Sequence, residues 1–315
     1  MIKVAVAGPG SISRRFLDGM KDIEHARVTA FASRNPERVR DYAAEHGIER
    51  IDSFSALCND PSIDAFYIST PNYVHYEMIR EALLAGKHVL CEKPITVTRA
   101  ELAELFELAH RQNLVLMEAH KTLYTPVFHS IQKLLEEQRL GRILSASAGF
   151  CRNDPHTPGE WRLTVKQGGG ALYDVGCYGL AELFGLFGTD LELTHRDADY
   201  DGDVDVQGTL SFQKGSIPMQ VFYSFVEDGD CCLRIRGEQG ELVCPSFWKA
   251  DRYTVTIDGK EEVFHFPFRS EFTFEILRFL ERIEKKETAD AFSEGISLRI
   301  MEILDTSLTI DGGNR

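Results

Sequence analysis

Ile2-Lys3-Val4-Ala5-Val6-Ala7-Gly8-Pro9-Gly10-Ser11-Ile12-Ser13 opens the chain. The first six residues are mostly apolar or β-branched and predict a buried strand over 3–7. A GxGxxS turn follows and leads into a helix over 11–20. Glycine at 8 permits a tight turn, and glycine at 10 lets a backbone come close to a pyrophosphate. The helix start at Ser11 and Ile12 supplies unpaired N–H donors and the positive end of the dipole. Position 13 asks for a small residue, and serine meets that demand approximately. A bare GxGxxS also occurs as a purely structural turn. Its place after the first strand of a βαβ series favours a dinucleotide.

Working outward, apolar runs at 28–33, 65–69, 88–91 and 115–118 predict further strands. Helical patterns lie between them at 36–46, 73–85 and 99–111. Asn35-Pro36 and Asn72 read as helix starts, Gly47 and Gly86 as helix stops. Strands alternating with helices predict a parallel, doubly wound Rossmann sheet over residues 1–120. At the end of the second strand an NAD enzyme places an acid on the ribose, whereas this chain has Ser33 and Arg34. A hydroxyl and a guanidinium suit a 2′-phosphate, which favours NADP over NAD.

Residues 121–315 read as an α+β domain. A helix is expected over 126–138 and a strand over 143–150, then a loop rich in Asp, Pro and Gly. A helix then follows the glycines at 168–170 and runs to about 187. From 191 to 266 polar and apolar residues alternate, with turn signals at Lys214-Gly215, Gly237 to Gly240 and Asp258-Gly259, which predicts a large, mostly antiparallel open sheet. Helices over 271–285 and 293–308 close the chain. No second helical layer is evident for the sheet, so a homodimer or homotetramer through that face is expected.

Composition narrows the class. A chain of 315 residues suits two domains, and no run approaches the roughly 20 apolar residues of a membrane helix. The strand pattern starts at once, leaving no room for a signal peptide, so a cytoplasmic location and no membrane partner are expected. Seven cysteines without a CxxC pair argue against a disulfide framework or zinc ribbon. A formal net charge of −14 argues against nucleic acid. Asp197, Asp199 and Asp201 resemble the start of a calcium loop, but Gly208 stands where a bidentate glutamate is required. His110, His120 and Glu118 lack HExxH spacing. Cys177 reads as a helix-buried thiol, and no metal is expected.

Ser69-Thr70-Pro71-Asn72 with His75, Ala85-Gly86-Lys87-His88-Val89-Leu90-Cys91-Glu92-Lys93-Pro94, Trp161-Arg162, and Gly168-Gly169-Gly170-Ala171-Leu172-Tyr173-Asp174-Val175-Gly176-Cys177-Tyr178 complete the pattern. Together these segments resemble the glucose-fructose oxidoreductase and inositol dehydrogenase family (Gfo/Idh/MocA). The resemblance spans nearly the whole chain, in the family's order. It implies that Lys93 reaches the nicotinamide edge, where an ammonium can bond the substrate oxygen and stabilise the alkoxide. It implies that Thr70, Pro71 and Asn72 line the ribose and nicotinamide, that Glu92 helps hold the nicotinamide ribose, that Trp161 and Arg162 cover the cofactor's far side, and that His75 belongs to the same cofactor-binding set. The chemical warrants for His75, Trp161 and Arg162 are the weaker ones, since each also fits packing or solvent.

Most members carry Asp and His at the positions of Asp174 and Tyr178. Tyrosine at the second position resembles the sugar-oxidising and dihydrodiol dehydrogenase branches. Residues four apart share a helix face, so the phenol can exchange the substrate hydroxyl proton while Lys93 tunes it and Asp174 orients a hydroxyl or Lys93. A tyrosine packed into the core is the structural alternative. The expected activity is NAD(P)-dependent hydride transfer to or from a sugar, polyol or cyclic diol. A catalytically silent dinucleotide-binding regulator is the competing class.

Overall fold

The computed structural model describes residues 1–48, 50–153, 162 and 164–310. Two compact units emerge: Met1–Ala119 with Phe272–Asp305, and His120–Glu271 with the residues after Asp305.

In the first unit, β1 (Ile2–Ala7), β2 (Ala26–Ala32), β3 (Arg50–Asp52), β4 (Ala65–Ile68), β5 (His88–Cys91) and β6 (Leu116–Glu118) form one sheet in the order β3-β2-β1-β4-β5-β6. Every neighbouring pair is parallel. Both faces of its centre are covered, so Val4–Ala7 and Ala65–Ile68 are buried throughout, as continuous apolar strands must be. Helices α1 (Ser11–Met20), α2 (Pro36–Glu45), α3 (Phe54–Cys58), α4 (His75–Leu84) and α5 (Arg99–Gln112) connect the strands. Helix α5 shows how local sequence sets its own limits. The Thr98 hydroxyl accepts from the Glu101 amide, the Glu101 carboxylate accepts from the Thr98 amide, and Asn113 stops the helix in the left-handed region.

The expected Rossmann order is present, with β3 and α3 added. A half-buried three-residue strand and a five-residue helix are too short to declare a period. A second difference concerns the chain end. Helices α8 (Phe272–Lys285) and, up to Asp305, α9 (Ala291–Ile310) belong to the first unit, where a single division near residue 120 would put them with the second. Thr273 donates to the Gly19 carbonyl of α1 at 3.1 Å, the Arg15 guanidinium lies 5.0 Å over the Phe272 ring, and Glu294 pairs with His110 of α5 at 3.1 Å. Helical periodicity announces an apolar face without naming the layer that buries it.

The second unit holds α6 (Pro126–Glu136), α7 (Cys177–Phe187) and strands β7 (Ile143–Cys151), β8 (Glu192–Asp201), β9 (Val204–Lys214), β10 (Ile217–Ser224), β11 (Cys232–Gly237), β12 (Gly240–Pro245), β13 (Arg252–Ile257) and β14 (Lys260–His265). They form one sheet in the order β14-β13-β12-β11-β7-β10-β9-β8. All neighbours are antiparallel except β7 and β10. The three expected turns join β9 to β10, β11 to β12 and β13 to β14. Asp258 and Gly259 take positive φ of 50° and 72°, the pairing that a two-residue hairpin loop requires. Asp197, Asp199 and Asp201 all lie on β8 and are exposed.

Helix α7 packs on this sheet at very short range. A Cβ on Gly179 would stand 2.8 Å from Val221 Cγ1, and one on Gly176 would stand 2.7 Å from Leu172 Cδ1. Met219, Val221 and Tyr223 of β10 are buried, while the alternate Pro218, Gln220 and Phe222 are exposed on the other face. One carboxyl is drawn into the core by the same helix: Glu182 is fully buried and accepts a short hydrogen bond from the Thr122 hydroxyl. Among the described residues no helix is long and apolar enough to cross a membrane, and all seven cysteines are free thiols.

Gly179→Leu should lower the urea midpoint by an amount equivalent to about 1–3 kcal/mol or more, because α7 must lift from the sheet. Burial raises the Glu182 carboxyl to about 8 from its ordinary 4.5, opposed by the Thr122 bond. The folded chain then keeps a proton that the unfolded chain releases. This contribution to stability is full below about 4.5 and is lost as pH rises through about 8. Thermal melts from pH ~5 to ~9 should therefore fall less steeply for Glu182→Gln than for the native chain.

Candidate functional site

In the first unit the strand order reverses between β1 and β4, and the loops leaving their carboxyl ends carry the expected residues. Gly8 has φ of 94°, and a Cβ there would stand 2.6 Å from the Ser69 carbonyl, so no other residue fits. The Ser69 hydroxyl donates to the Gly8 carbonyl at 2.8 Å and fastens the two loops. A Cβ on Gly10 would meet nothing within 4 Å, and Gly10, Ser11 and Ile12 are exposed. An open glycine edge at a helix N-terminus is the cradle a pyrophosphate needs. Ser13 does more than keep the packing close. It is wholly buried, its Oγ accepts from the Gly10 amide at 2.8 Å, and it shares a hydrogen bond with the Tyr42 hydroxyl at 2.8 Å. At the end of β2, the Ser33 amide donates to Asp52 of β3 and its hydroxyl accepts from the Asn35 amide, while Arg34 is exposed.

The second half of this unit's site is the turn after β5. Glu92 and Lys93 are partly exposed and Pro94 is buried. Buried polar groups fix the turn from three sides. The Tyr67 hydroxyl donates to Glu92 Oε1 at 2.5 Å, with the Tyr67 ring stacked 3.8 Å from Phe16. Burial, followed by the nearby Glu92 and Glu275 carboxylates, pushes the Tyr67 hydroxyl well above its ordinary range, so it stays a donor. Glu118 accepts from the Ile95 amide at 2.9 Å. His75 is fully buried, with Nε2 2.7 Å from the Thr70 carbonyl and Nδ1 3.2 Å from the Pro94 carbonyl. Desolvation lowers its pKa, against the carbonyl bonds that raise it. His75 thus ties the Thr70-Pro71-Asn72 loop to the Lys93-Pro94 turn, the packing role that its sequence context leaves open. Thr70 and Pro71 are partly exposed and Asn72 is buried. Lys87 is also tied inward, donating to the Asp60 and Ile63 carbonyls at 2.7 and 2.8 Å.

In the second unit the glycine run leads into a π-helical turn, Leu172–Gly176, which passes directly into α7. Such turns widen a helix and occur often at functional positions. From Ala171 to Ala181 every residue is buried except Asp174 and Tyr178, which lie on one face as their spacing predicts. Arg162 Nη1 lies 3.5 Å from Asp174 Oδ2, and the Arg162 carbonyl accepts from the Gly170 amide at 2.8 Å. Trp161 lies outside the described residues. The Tyr178 ring is 5.6 Å from that of Phe150, itself stacked 3.8 Å from Trp248. Cys177 is buried, with Sγ donating to the Asp174 carbonyl at 3.4 Å.

Several members of these networks escape sequence reasoning. Tyr67 looks like any strand tyrosine. Lys121 lies in the run His120-Lys121-Thr122, where nothing local marks it out from a surface lysine. Its ammonium lies 5.4 Å over the Tyr178 ring and 3.3 Å from Glu271.

Residues 2–120 match the model of the oxidoreductase family with NAD-binding Rossmann fold, and residues 128–243 match the Gfo/Idh/MocA C-terminal domain. The chain is 30% identical to dTDP-3,4-didehydro-2,6-dideoxy-alpha-D-glucose 3-reductase of Actinomadura kijaniata, over 98% of this chain and 95% of that one. It is 29% identical to an NADP-dependent scyllo-inositol 2-dehydrogenase of Bacillus subtilis, over 83% and 82% of the two chains. A solved 3-ketoreductase from Actinomadura kijaniata, in complex with NADP and TDP-benzene, superposes with a TM-score of 0.88 at 28% identity, covering 97% of this chain and 96% of that one. That enzyme has also been crystallised as a lysine-to-alanine and a tyrosine-to-phenylalanine variant. With both domain models matched in order along a βαβ unit whose Gly8 turn has the shape of a dinucleotide cradle, the chain belongs to the Gfo/Idh/MocA family and is an oxidoreductase that works with a nicotinamide dinucleotide.

Proposed function

We propose that this enzyme interconverts a carbinol and a carbonyl carbon on a sugar, polyol or cyclic diol, with Lys93 and Tyr178 handling the proton. The observation that carries this reading is the pair Asp174 and Tyr178, the two partly exposed residues in a helix segment that is otherwise buried. A carboxylate and a phenol four residues apart offer an acceptor for one substrate hydroxyl and a proton carrier for its neighbour. Arg162 holds Asp174 in place. Lys93, on a turn braced by Tyr67, His75 and Glu118, donates to the substrate oxygen and stabilises its negative charge. The bound nicotinamide supplies or accepts the hydride.

We assign the cofactor to residues 1–120 and the substrate and subunit assembly to residues 121–315, of which Phe272–Asp305 pack with the first unit. Gly8, Gly10, Ser11 and Ile12 hold the pyrophosphate, Thr70, Pro71, Asn72 and Glu92 hold the nicotinamide ribose, and Trp161 and Arg162 cover it. His75 acts by holding the two loops. Ser33 and exposed Arg34, with no acid at the end of β2, favour NADP. The NADP named for the similar ketoreductase and inositol dehydrogenase supports this choice, and their substrates support the sugar or polyol class. Seven free thiols favour the cytoplasm. We also propose a homodimer or homotetramer through the exposed sheet face that carries Pro218, Gln220 and Phe222.

Fluorescence titration with NADPH and NADH, followed by absorbance assays on sugars, inositols and vicinal diols, tests the reading. NADPH should bind the more tightly, and Arg34→Ala should reduce that preference about 10-fold. Lys93→Ala and Tyr178→Phe should each cut turnover about 100-fold while leaving NADPH affinity within about twofold; unchanged turnover removes that residue from the mechanism. For assembly, light scattering at micromolar concentration should give a dimer or tetramer mass, and a monomer overturns that proposal.

A further inference from the structure

We propose that Lys121, held by Glu271, is a positioning residue for Tyr178: a buried ammonium that fixes the phenol ring and supplies positive charge beside it during proton exchange. This rests on the reading of Tyr178 as the proton-handling group.

The Lys121 side chain is only 4% exposed and that of Glu271 11%, with Nζ 3.3 Å from Oε1. Taking an ammonium out of water is costly, and a carboxylate at this distance offsets the cost without adding net charge. The same Nζ lies 5.4 Å from the centroid of the Tyr178 ring. That is within cation–π range, and the attraction is strongest when both partners are desolvated. Phe150 packs against the same ring and is backed by Trp248, so aromatic and cationic neighbours together restrict the phenol.

The backbone that carries Lys121 is fastened to the helix that carries Tyr178. Residue 122, next to the lysine, donates its hydroxyl to Glu182 on α7, one turn beyond Tyr178. The 3-10 turn Lys121–Tyr124 is buried, and Thr125 caps α6 behind it by accepting from the Phe128 amide at 3.1 Å. Among the described residues of this unit, the ionisable groups tied to the phenol or to its helix include Lys121 and Glu271, Asp174 with its partner Arg162 one turn earlier, and Glu182 one turn later. Of the two cations in this set, Lys121 is the one that lies over the ring. A cation there favours the phenol whenever it takes on negative charge.

Removing Lys121 alone takes the ammonium away from a buried carboxylate, so the test uses the paired apolar variant Lys121→Met/Glu271→Leu beside the conservative Lys121→Arg. Two quantities are read: kcat and KM with NADP(H) and whichever sugar, inositol or vicinal diol of the panel is turned over, and the fluorine NMR signal of Tyr178 in protein labelled with 3-fluorotyrosine, assigned by its loss in Tyr178→Phe. The paired variant should lose about 5-fold in kcat, the rate equivalent of a cation–π contact on a partly exposed ring, with KM changed less than about twofold. Its Tyr178 signal should move, and Lys121→Arg should restore both signal and kcat. An unmoved signal in the paired variant overturns the proposal whatever the turnover, as does a kcat equal to the native value. Equal losses of kcat in Lys121→Arg and the paired variant also overturn it. Should the native protein turn over no panel substrate, a moved and restored signal supports the placement of Lys121 and counts against the proton reading alone.

Discussion

The distance between α7 and the second sheet governs what that unit can present. Gly179 lets the helix backbone settle where a Cβ would stand 2.8 Å from Val221 of β10. Once seated, the helix buries nearly all its residues, and the apolar run that reads as featureless hydrophobicity becomes a scaffold. The two polar residues that escape burial, Asp174 and Tyr178, then have fixed directions because neither the helix nor the sheet has room to shift. The π-helical turn immediately before α7 belongs to the same arrangement, since it starts at Leu172, directly after the glycine run.

The first unit reaches comparable rigidity with hydrogen bonds in place of apolar contact. A turn that carries a partly exposed lysine cannot be packed on all sides, so its backbone and its flanking carboxylate are held from beneath. A strand tyrosine, a buried histidine and a buried glutamate each satisfy one polar group of the turn or its neighbouring loop. Such bonds in a low-dielectric interior are costly to break, because each leaves an unpaired polar atom behind. Ser13 follows the same logic at the dinucleotide loop, where its hydroxyl replaces a packing glycine and binds the loop it supports.

Charge is handled locally in both units. The overall balance is strongly negative, yet individual cations lie where acids pair with them or where a strand end carries none. Arg162 faces Asp174, Lys121 faces Glu271, and Arg34 follows a strand end that carries no acid. Net charge therefore speaks to solubility and to excluded partners, and the sites depend on individual pairs.

What the sequence by itself determined was whatever is written locally. The Gly8-Pro9-Gly10 turn, the alternation of strands and helices, the hairpin signals at Asp258-Gly259, and the four-residue spacing of Asp174 and Tyr178 each depend on neighbours within a few positions. Backbone φ preference and side-chain periodicity act over that range, so they could be read without coordinates. Tertiary structure decided the rest: that α8 packs with the first unit, that β7 and β10 run parallel, that His75 is a tie between loops, and that Lys121 meets Tyr178. These contacts join residues tens to hundreds of positions apart. An apolar face or a lone lysine has the same local signature whichever distant surface receives it.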